Sequence, residues 1–288
     1  MDESSQCNTA RSAEQGVTKI SAGSSFEFCP RILPLSSLFP ATQSRPGPLF
    51  RPSAVCYSSV VRISEIFYSI QGEGRLLGTP SVFIRTSGCN LRCVWCDTPY
   101  TSWKPEGKDW SIEKILRQIE EYPSRHIVIT GGEPLLAPGI EALTYQLKNS
   151  GAHITIETAA TIFKNVTCDL ASMSPKLSNS TPWKKAKGKF AKMHESHRLN
   201  YTVVQKFIDA YDYQLKFVVD EKNDFTEIQE LLGNLNNVDR ARVLIMAQGT
   251  TRKELRAKGR WIVEICKQAG FGYTPRLHIE LFGNRPGT

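Results

Sequence analysis

The sequence predicts an α/β fold, built as a partial and open β/α barrel of about six mainly parallel strands. Two observations carry this reading. Short apolar runs of strand length recur from Val61 onward, and helical periodicities lie between several of them. Strands that alternate with helices form parallel βαβ units, because a parallel neighbour is reached only by a long crossover. About six strands are too few to close an eight-stranded barrel, so the sheet is expected to stay open. No internal repeat is visible.

The strand candidates are Ser81–Arg85, His126–Thr130, His153–Glu157, Leu215–Val219, Arg242–Met246 and Leu277–Leu281. Each is short, rich in Ile, Val, Leu or Phe, and bounded by Gly, Pro, Ser or Asn, as buried strands are. Within Ser111–Tyr122, the residues Ile112, Ile115, Leu116 and Ile119 fall at i, i+3, i+4 and i+7, with Ser111 a fitting N-cap. Pro138 starts a second helix candidate, with Ile140, Leu143 and Leu147 on one side and Gly151 as its stop. Phe225–Leu235 and Arg252–Ala269 supply two more, the last followed by Gly270. In such folds ligands bind at the C-terminal ends of the strands.

The chain has 288 residues and 40% hydrophobic content, enough for a substantial core. No apolar run approaches the roughly 20 residues of a membrane helix, so no membrane association is expected. Residues 1–60 differ from the rest: they hold twelve Ser and six Pro and show no sustained period. That composition does not offset its own ordering entropy, and the segment reads as a disordered extension. An organelle-targeting peptide or an over-long translation start are the alternatives; Asp2, Glu3 and the lack of an Arg-rich amphipathic helix speak against targeting. Residues 61–288 are expected to form the core domain. The net charge is +8, with Lys184, Lys185, Lys187, Lys189 and Lys192 clustered together. Such a run suits RNA or an acidic substrate, but a solvated loop is its ordinary reading, and direct nucleic-acid binding is not expected.

Three of the eight cysteines form the pattern Cys89-x3-Cys93-x2-Cys96, directly after the strand Ser81–Arg85. Such a cluster in a larger chain points to metal in a reducing compartment, with the cytoplasm the expected location. Three thiolates can wrap one corner of a [4Fe-4S] cube and leave one iron open to a ligand. Closed zinc sites need four ligands, usually in two pairs, and no second pair follows; Cys168 and His126 are the remote fourth ligands a zinc reading would need.

The C-x3-C-x2-C pattern, with Trp95 before its third cysteine, resembles the radical-SAM superfamily. Thr130-Gly131-Gly132-Glu133-Pro134 is similar to that superfamily's GGEP element, which grips the amino group of S-adenosylmethionine (SAM). The resemblance implies that the open iron chelates SAM, and that one electron splits it to methionine and a 5′-deoxyadenosyl radical. Glu65–Gly74, Phe83–Asn90, Trp95–Thr98, Ser174–Lys176, Lys216–Val218, Leu277-His278 and Gly283–Arg285 resemble the 7-carboxy-7-deazaguanine synthase (QueE) family. The match runs from Ile63 to the C-terminus.

That resemblance implies a carbon–nitrogen lyase: radical ring contraction of 6-carboxy-5,6,7,8-tetrahydropterin to 7-carboxy-7-deazaguanine, with loss of ammonia. The product feeds queuosine, a tRNA modification, and other deazapurines. It also implies Mg2+, a homodimer, and an electron donor of flavodoxin or ferredoxin type. Residue by residue, Cys89, Cys93 and Cys96 would hold the cluster. Ile70, Gln71, Gly72, Arg85 and Thr130 would meet the pterin, and Thr98 would ligate Mg2+. Trp95, Cys96, Asp97, Gly132, Glu133, Ser174, Pro175, Lys176, Met246, Ala247, Gln248 and Gly249 would line the SAM site. Two departures stand out. Glu157-Thr-Ala-Ala-Thr161 replaces the family's usual ETNGT, and Ala247 replaces a usual proline before Gln248. The stretch Leu177–Asn200 lengthens the chain and reads as a lid or a solvent loop. Another radical-SAM reaction, such as activation of a glycyl-radical partner, is the runner-up.

Overall fold

The computed structural model describes residues 60–288. Apart from Val60, the N-terminal extension expected over residues 1–60 lies outside the described residues. The elements begin with β1 (Val60–Ile70), β2 (Pro80–Thr86), a one-turn α1 (Pro99–Ser102), β3 (Lys108–Ser111) and α2 (Ile112–Ile119). Next come β4 (His126–Gly131), α3 (Ile140–Asn149), β5 (His153–Thr158) and β6 (Leu170–Met173). The second half holds α4 (Ala191–His197), α5 (Tyr201–Ala210), β7 (Tyr213–Val219), α6 (Asp224–Gly233), β8 (Val243–Ala247), α7 (Arg252–Ala269), β9 (Gly272–Tyr273) and α8 (Leu277–Phe282).

The strands form one nine-stranded sheet in the order β3-β1-β2-β4-β5-β6-β7-β8-β9. β1 pairs antiparallel with both β2 and β3. From β2 to β9 every neighbouring pair is parallel. The mainly parallel open sheet agrees with the expected partial barrel, widened at both edges by strands too short or too mixed in pattern to foresee. Helices cover the parallel strands, so those strands bury both faces; all seven residues of β7 are buried. Ile84, Ile129, Ile154, Ile156, Leu215 and Phe217 form its fully buried centre. Each such side chain contributes about 1.5–3 kcal/mol through removal from water.

Local chemistry fixes the helix ends. Ser111 caps α2 by accepting from Lys114 N at 3.3 Å. Thr251 and Glu254 form a reciprocal capping box on α7, and Gly270 ends that helix in the left-handed region at φ 69°. α3 starts at Ile140 rather than at Pro138, because Gly139 takes φ 74° and serves as its N-cap. Leu277–Leu281 is not a strand. It forms α8, in which Ile279 is the buried residue, and the adjacent sheet edge is already taken by β9. β1, β3, β6, β9, α4 and α5 are elements the sequence reading did not place. No helix among the described residues is long and apolar enough to cross a membrane.

Candidate active site

A cavity of about 510 Å³ opens at the C-terminal ends of the parallel strands, within the range of small-molecule sites. The loop after β2 brings Cys89, Cys93 and Cys96 to its wall, with Trp95, Asp97 and Thr98. Ile70, Gln71, Gly72, Arg85, Thr130, Gly132, Ser174, Lys176, Met246 and Gln248 line it too. Glu133, Pro175, Ala247 and Gly249, expected at the SAM site, do not line it. The Glu133 carboxylate faces the protein interior, accepting from Leu135 N at 3.2 Å, Thr158 Oγ1 at 2.7 Å and Ala159 N at 2.9 Å. Burial raises its pKa. Pro175 is buried, Ala247 closes β8, and Gly249 O accepts from Arg276 Nη1 at 2.8 Å.

The cysteine loop is held from within and from behind. Leu91 N donates to Cys89 Sγ at 3.3 Å, and Ser102 Oγ lies 3.2 Å from Cys96 Sγ. Arg92 Nη1 donates to the carbonyls of Cys89 and Leu91 at 2.8 and 2.7 Å. Trp103 Nε1 donates to Cys93 O at 3.1 Å. The stretch Leu177–Asn200 packs against the outside of this loop: Val94 N donates to Ser180 O at 2.7 Å and Trp95 Nε1 to Asn179 O at 3.1 Å. His194, fully buried, accepts from Arg92 N at 3.1 Å, with its Nε2 2.9 Å from Ser180 Oγ. Ser180 Oγ already donates to Leu177 O, so the ring is the Nε2–H tautomer that donates to Ser180. Burial pushes its pKa down to about 4, consistent with a neutral ring. This inner packing decides against a plain solvent loop.

Gly132 explains how β4 meets the cysteines. A Cβ there would stand 2.1 Å from Gly88 O and 2.8 Å from Cys89 Cβ. Only glycine lets this loop lie so close. Burial raises the Cys89 thiol to about 11 and the Cys93 thiol to about 12, so iron must displace their protons. No group of three or more His, Cys, Asp or Glu among the described residues is placed to hold a single metal ion. A cube asks for a different arrangement. Each thiolate takes its own iron, so the sulfurs stand wider than the about 3.8 Å of a tetrahedral Zn–S site. The three cysteines, sulfur-directed donors and glycine cradle fit such a cluster.

The opposite wall carries a buried ionic network that sequence reasoning missed. Glu73 binds Lys216 Nζ at 2.5 Å and Arg276 Nε at 3.2 Å, while Arg276 Nη2 binds Asp97. Burial opposes ionisation of Glu73, but Lys216 and Arg276 hold its pKa far below the usual range. Glu157 lies 3.9 Å from Lys216 and accepts from Gln71 Nε2 at 3.2 Å and Thr130 Oγ1 at 3.1 Å. A lysine within the apolar run of β7 and a glutamate between Gly72 and Gly74 were the available signals. Arg85 Nε pairs with Glu65 at 2.6 Å, leaving its Nη groups without a hydrogen-bond partner among the described residues. A Cβ on Gly72 would meet His278 Nδ1 at 2.0 Å, which explains that glycine. In the departed ETNGT segment, Ala160 takes the left-handed turn itself, at φ 55°.

The family model of the radical SAM superfamily matches residues 83–178, spanning both the cysteine loop and the β4 glycines. Across 80% of the chain and 90% of the relative, 47% of residues are identical to 7-carboxy-7-deazaguanine synthase of Rhodopirellula baltica. The enzyme of the same name from Halobacterium salinarum is 43% identical, over 78% of this chain and 92% of that relative. The chain belongs to the 7-carboxy-7-deazaguanine synthase family of radical-SAM enzymes. The crystal structure of QueE from Escherichia coli shares the fold, with a TM-score of 0.61 at 24% identity, over 76% of this chain and 95% of that one. Membership implies a [4Fe-4S] cluster and SAM.

Proposed function

We propose that this cavity converts 6-carboxy-5,6,7,8-tetrahydropterin to 7-carboxy-7-deazaguanine with loss of ammonia, a carbon–nitrogen lyase reaction in queuosine and deazapurine synthesis. Family membership supports this reading, and one observation carries it to these residues: the three cysteines share a cavity with Arg85, whose Nη groups have no hydrogen-bond partner among the described residues, and with the Glu157 carboxylate. When bound, the cluster and SAM supply a 5′-deoxyadenosyl radical by one-electron cleavage. The chain's own groups then bind, orient and enclose.

Cys89, Cys93 and Cys96 would hold the cluster. Lys176, within hydrogen-bond reach of Ser174 Oγ at 2.8 Å and 5.8 Å from the Trp95 ring centre, places positive charge beside the sulfurs and suits the SAM carboxylate. The free Nη groups of Arg85 suit the pterin carboxylate, which a planar guanidinium grips by two parallel bonds. Glu157, fixed by Gln71 and Thr130, offers acceptor oxygens to the N–H edge of the pterin ring. Asp97 is paired through Oδ2 with Arg276; by family resemblance Thr98 would be the ligand for Mg2+, its Oγ1 already accepting from Thr101 at 3.3 Å. A hard cation held so lightly would take its other ligands from substrate and water. The family resemblance supports a homodimer and an outside electron donor.

The test is anaerobic reconstitution, reduction, and addition of SAM with carboxytetrahydropterin. Deoxyadenosine together with a deazaguanine chromophore is expected. Deoxyadenosine alone would reject the substrate, and neither product would reject the reaction. Sedimentation with and without Mg2+ checks the dimer.

A further inference from the structure

The inner face of residues 177–200 supports the cysteine loop, but its outer face has no role in the reaction so far. Trp183 is 62% exposed there. Lys184, Lys187 and Lys192 are exposed, and their side chains make no hydrogen bond or ion pair among the described residues. No Asp or Glu occurs from Lys176 through His194, while six lysines do. The turn that presents them is strained. Ala186 and Lys187 take φ 51° and 55°, and Gly188 takes φ 72°. The left-handed region is unfavourable for alanine and lysine, so the packing around this turn holds it against its preference.

This face is continuous with the edge of the cysteine loop. Lys185 Nζ donates to Val94 O at 2.9 Å, and Val94 is itself 37% exposed although it follows Cys93 directly. An electron that reaches Val94 is therefore one residue from a cysteine of the loop. Lysines without acidic neighbours steer and hold an acidic partner.

We propose that the outer face of residues 183–192, with Val94, is the docking surface for an acidic one-electron carrier protein. The proposal rests on the cluster reading above. In the step it serves, one electron leaves the carrier and enters the cluster, and no bond is made or broken. A solvated lysine run also attracts nucleic acid, but its continuity with Val94 favours a redox partner.

The test uses the reconstituted enzyme carrying Lys184→Glu, Lys187→Glu and Lys192→Glu together, with dithionite or a reduced flavodoxin as donor. With dithionite, deoxyadenosine should form at the wild-type rate. With flavodoxin, the rate should fall at least about tenfold, the scale of lost electrostatic steering. Raising ionic strength from about 0.05 to about 0.3 M should slow the wild type and leave the variant nearly unchanged. Binding of flavodoxin to immobilised enzyme, read without turnover, should weaken in parallel. Unchanged flavodoxin binding and rate would overturn the proposal. So would an equal loss with both reductants, or tRNA binding through these lysines with no flavodoxin binding. A wild type that cleaves no SAM even with dithionite would instead reject the cluster reading, while the binding measurement still decides the surface.

Discussion

Gly132→Ala tests how the β4 turn and the cysteine loop fit together. The new methyl carbon would stand 2.1 Å from Gly88 O, 2.6 Å from Gly88 C and 2.8 Å from Cys89 Cβ. An ordinary carbon–oxygen contact is about 3.3 Å, so one side must retreat by about 1.2 Å. β4 is fixed by its parallel pairing with β2 on one side and β5 on the other. The Gly88–Cys89 segment is the side that yields, and its retreat breaks the bond from Glu133 N to Gly88 O, now 2.8 Å. Overpacking contributes about 1–3 kcal/mol and the lost hydrogen bond about 1 kcal/mol, so a destabilisation of about 2–4 kcal/mol is expected. Chemistry should suffer more than stability. Metal–ligand distances tolerate roughly 0.2 Å, and Cys89 would move several times that. The assay is iron and sulfide per chain after reconstitution, followed by deoxyadenosine formation. Gly78→Ala is the control: its φ of 82° disfavours alanine, but nothing lies within 4 Å of the added carbon. It should keep its iron. If Gly132→Ala binds iron and cleaves SAM like the wild type, the close approach has no bearing on the cluster.

Four further outcomes are expected. Cys93→Ala should abolish SAM cleavage while Cys168→Ala leaves it; cluster loss in Cys168→Ala alone would reverse the ligand assignment. His194 has a folded pKa of about 4 against an ordinary 6.5, so the folded state binds fewer protons between those values. Its contribution is therefore complete above about pH 6.5 and is lost towards pH 4, by up to about 3 kcal/mol; denaturant unfolding of His194→Gln should show a flatter pH dependence over that window. Lys216→Met leaves Glu73 and Glu157 buried beside an apolar group and should destabilise the fold by about 3–5 kcal/mol in denaturant titrations. Arg85→Lys keeps the charge but loses the planar fork; KM for the carboxypterin should rise at least about tenfold, while deoxyadenosine formation without pterin stays unchanged.

The core of the barrel was legible in the chain because parallel strands buried on both faces are simple apolar runs. β2, β4, β5, β7 and β8 all announced themselves so. β1 did not, for it pairs antiparallel, buries its residues unevenly and shifts register between Ile63 and Glu65. Leu277, Ile279 and Leu281 alternate like a strand, yet a six-residue helix is too short for periodicity to tell the two apart. At the site, the cysteines and β4 glycines were readable because their spacing is itself the chemistry. The inward turn of the Glu133 carboxylate was not readable, because sequence shows an acidic side chain without showing which way it faces. The pairing of Glu73, Asp97, Lys216 and Arg276 could not be read, because nothing in the chain pairs residues so far apart, although Lys216 and Glu73 each stand out locally.

Arg276 and Glu73 are separated by 203 positions. On a ribosome, the cysteine loop and the glycine turn emerge long before Arg276 exists, so Asp97 waits without its guanidinium while most of the barrel is already made. The clasp across the mouth thus closes only once nearly all of the barrel's chain has been made.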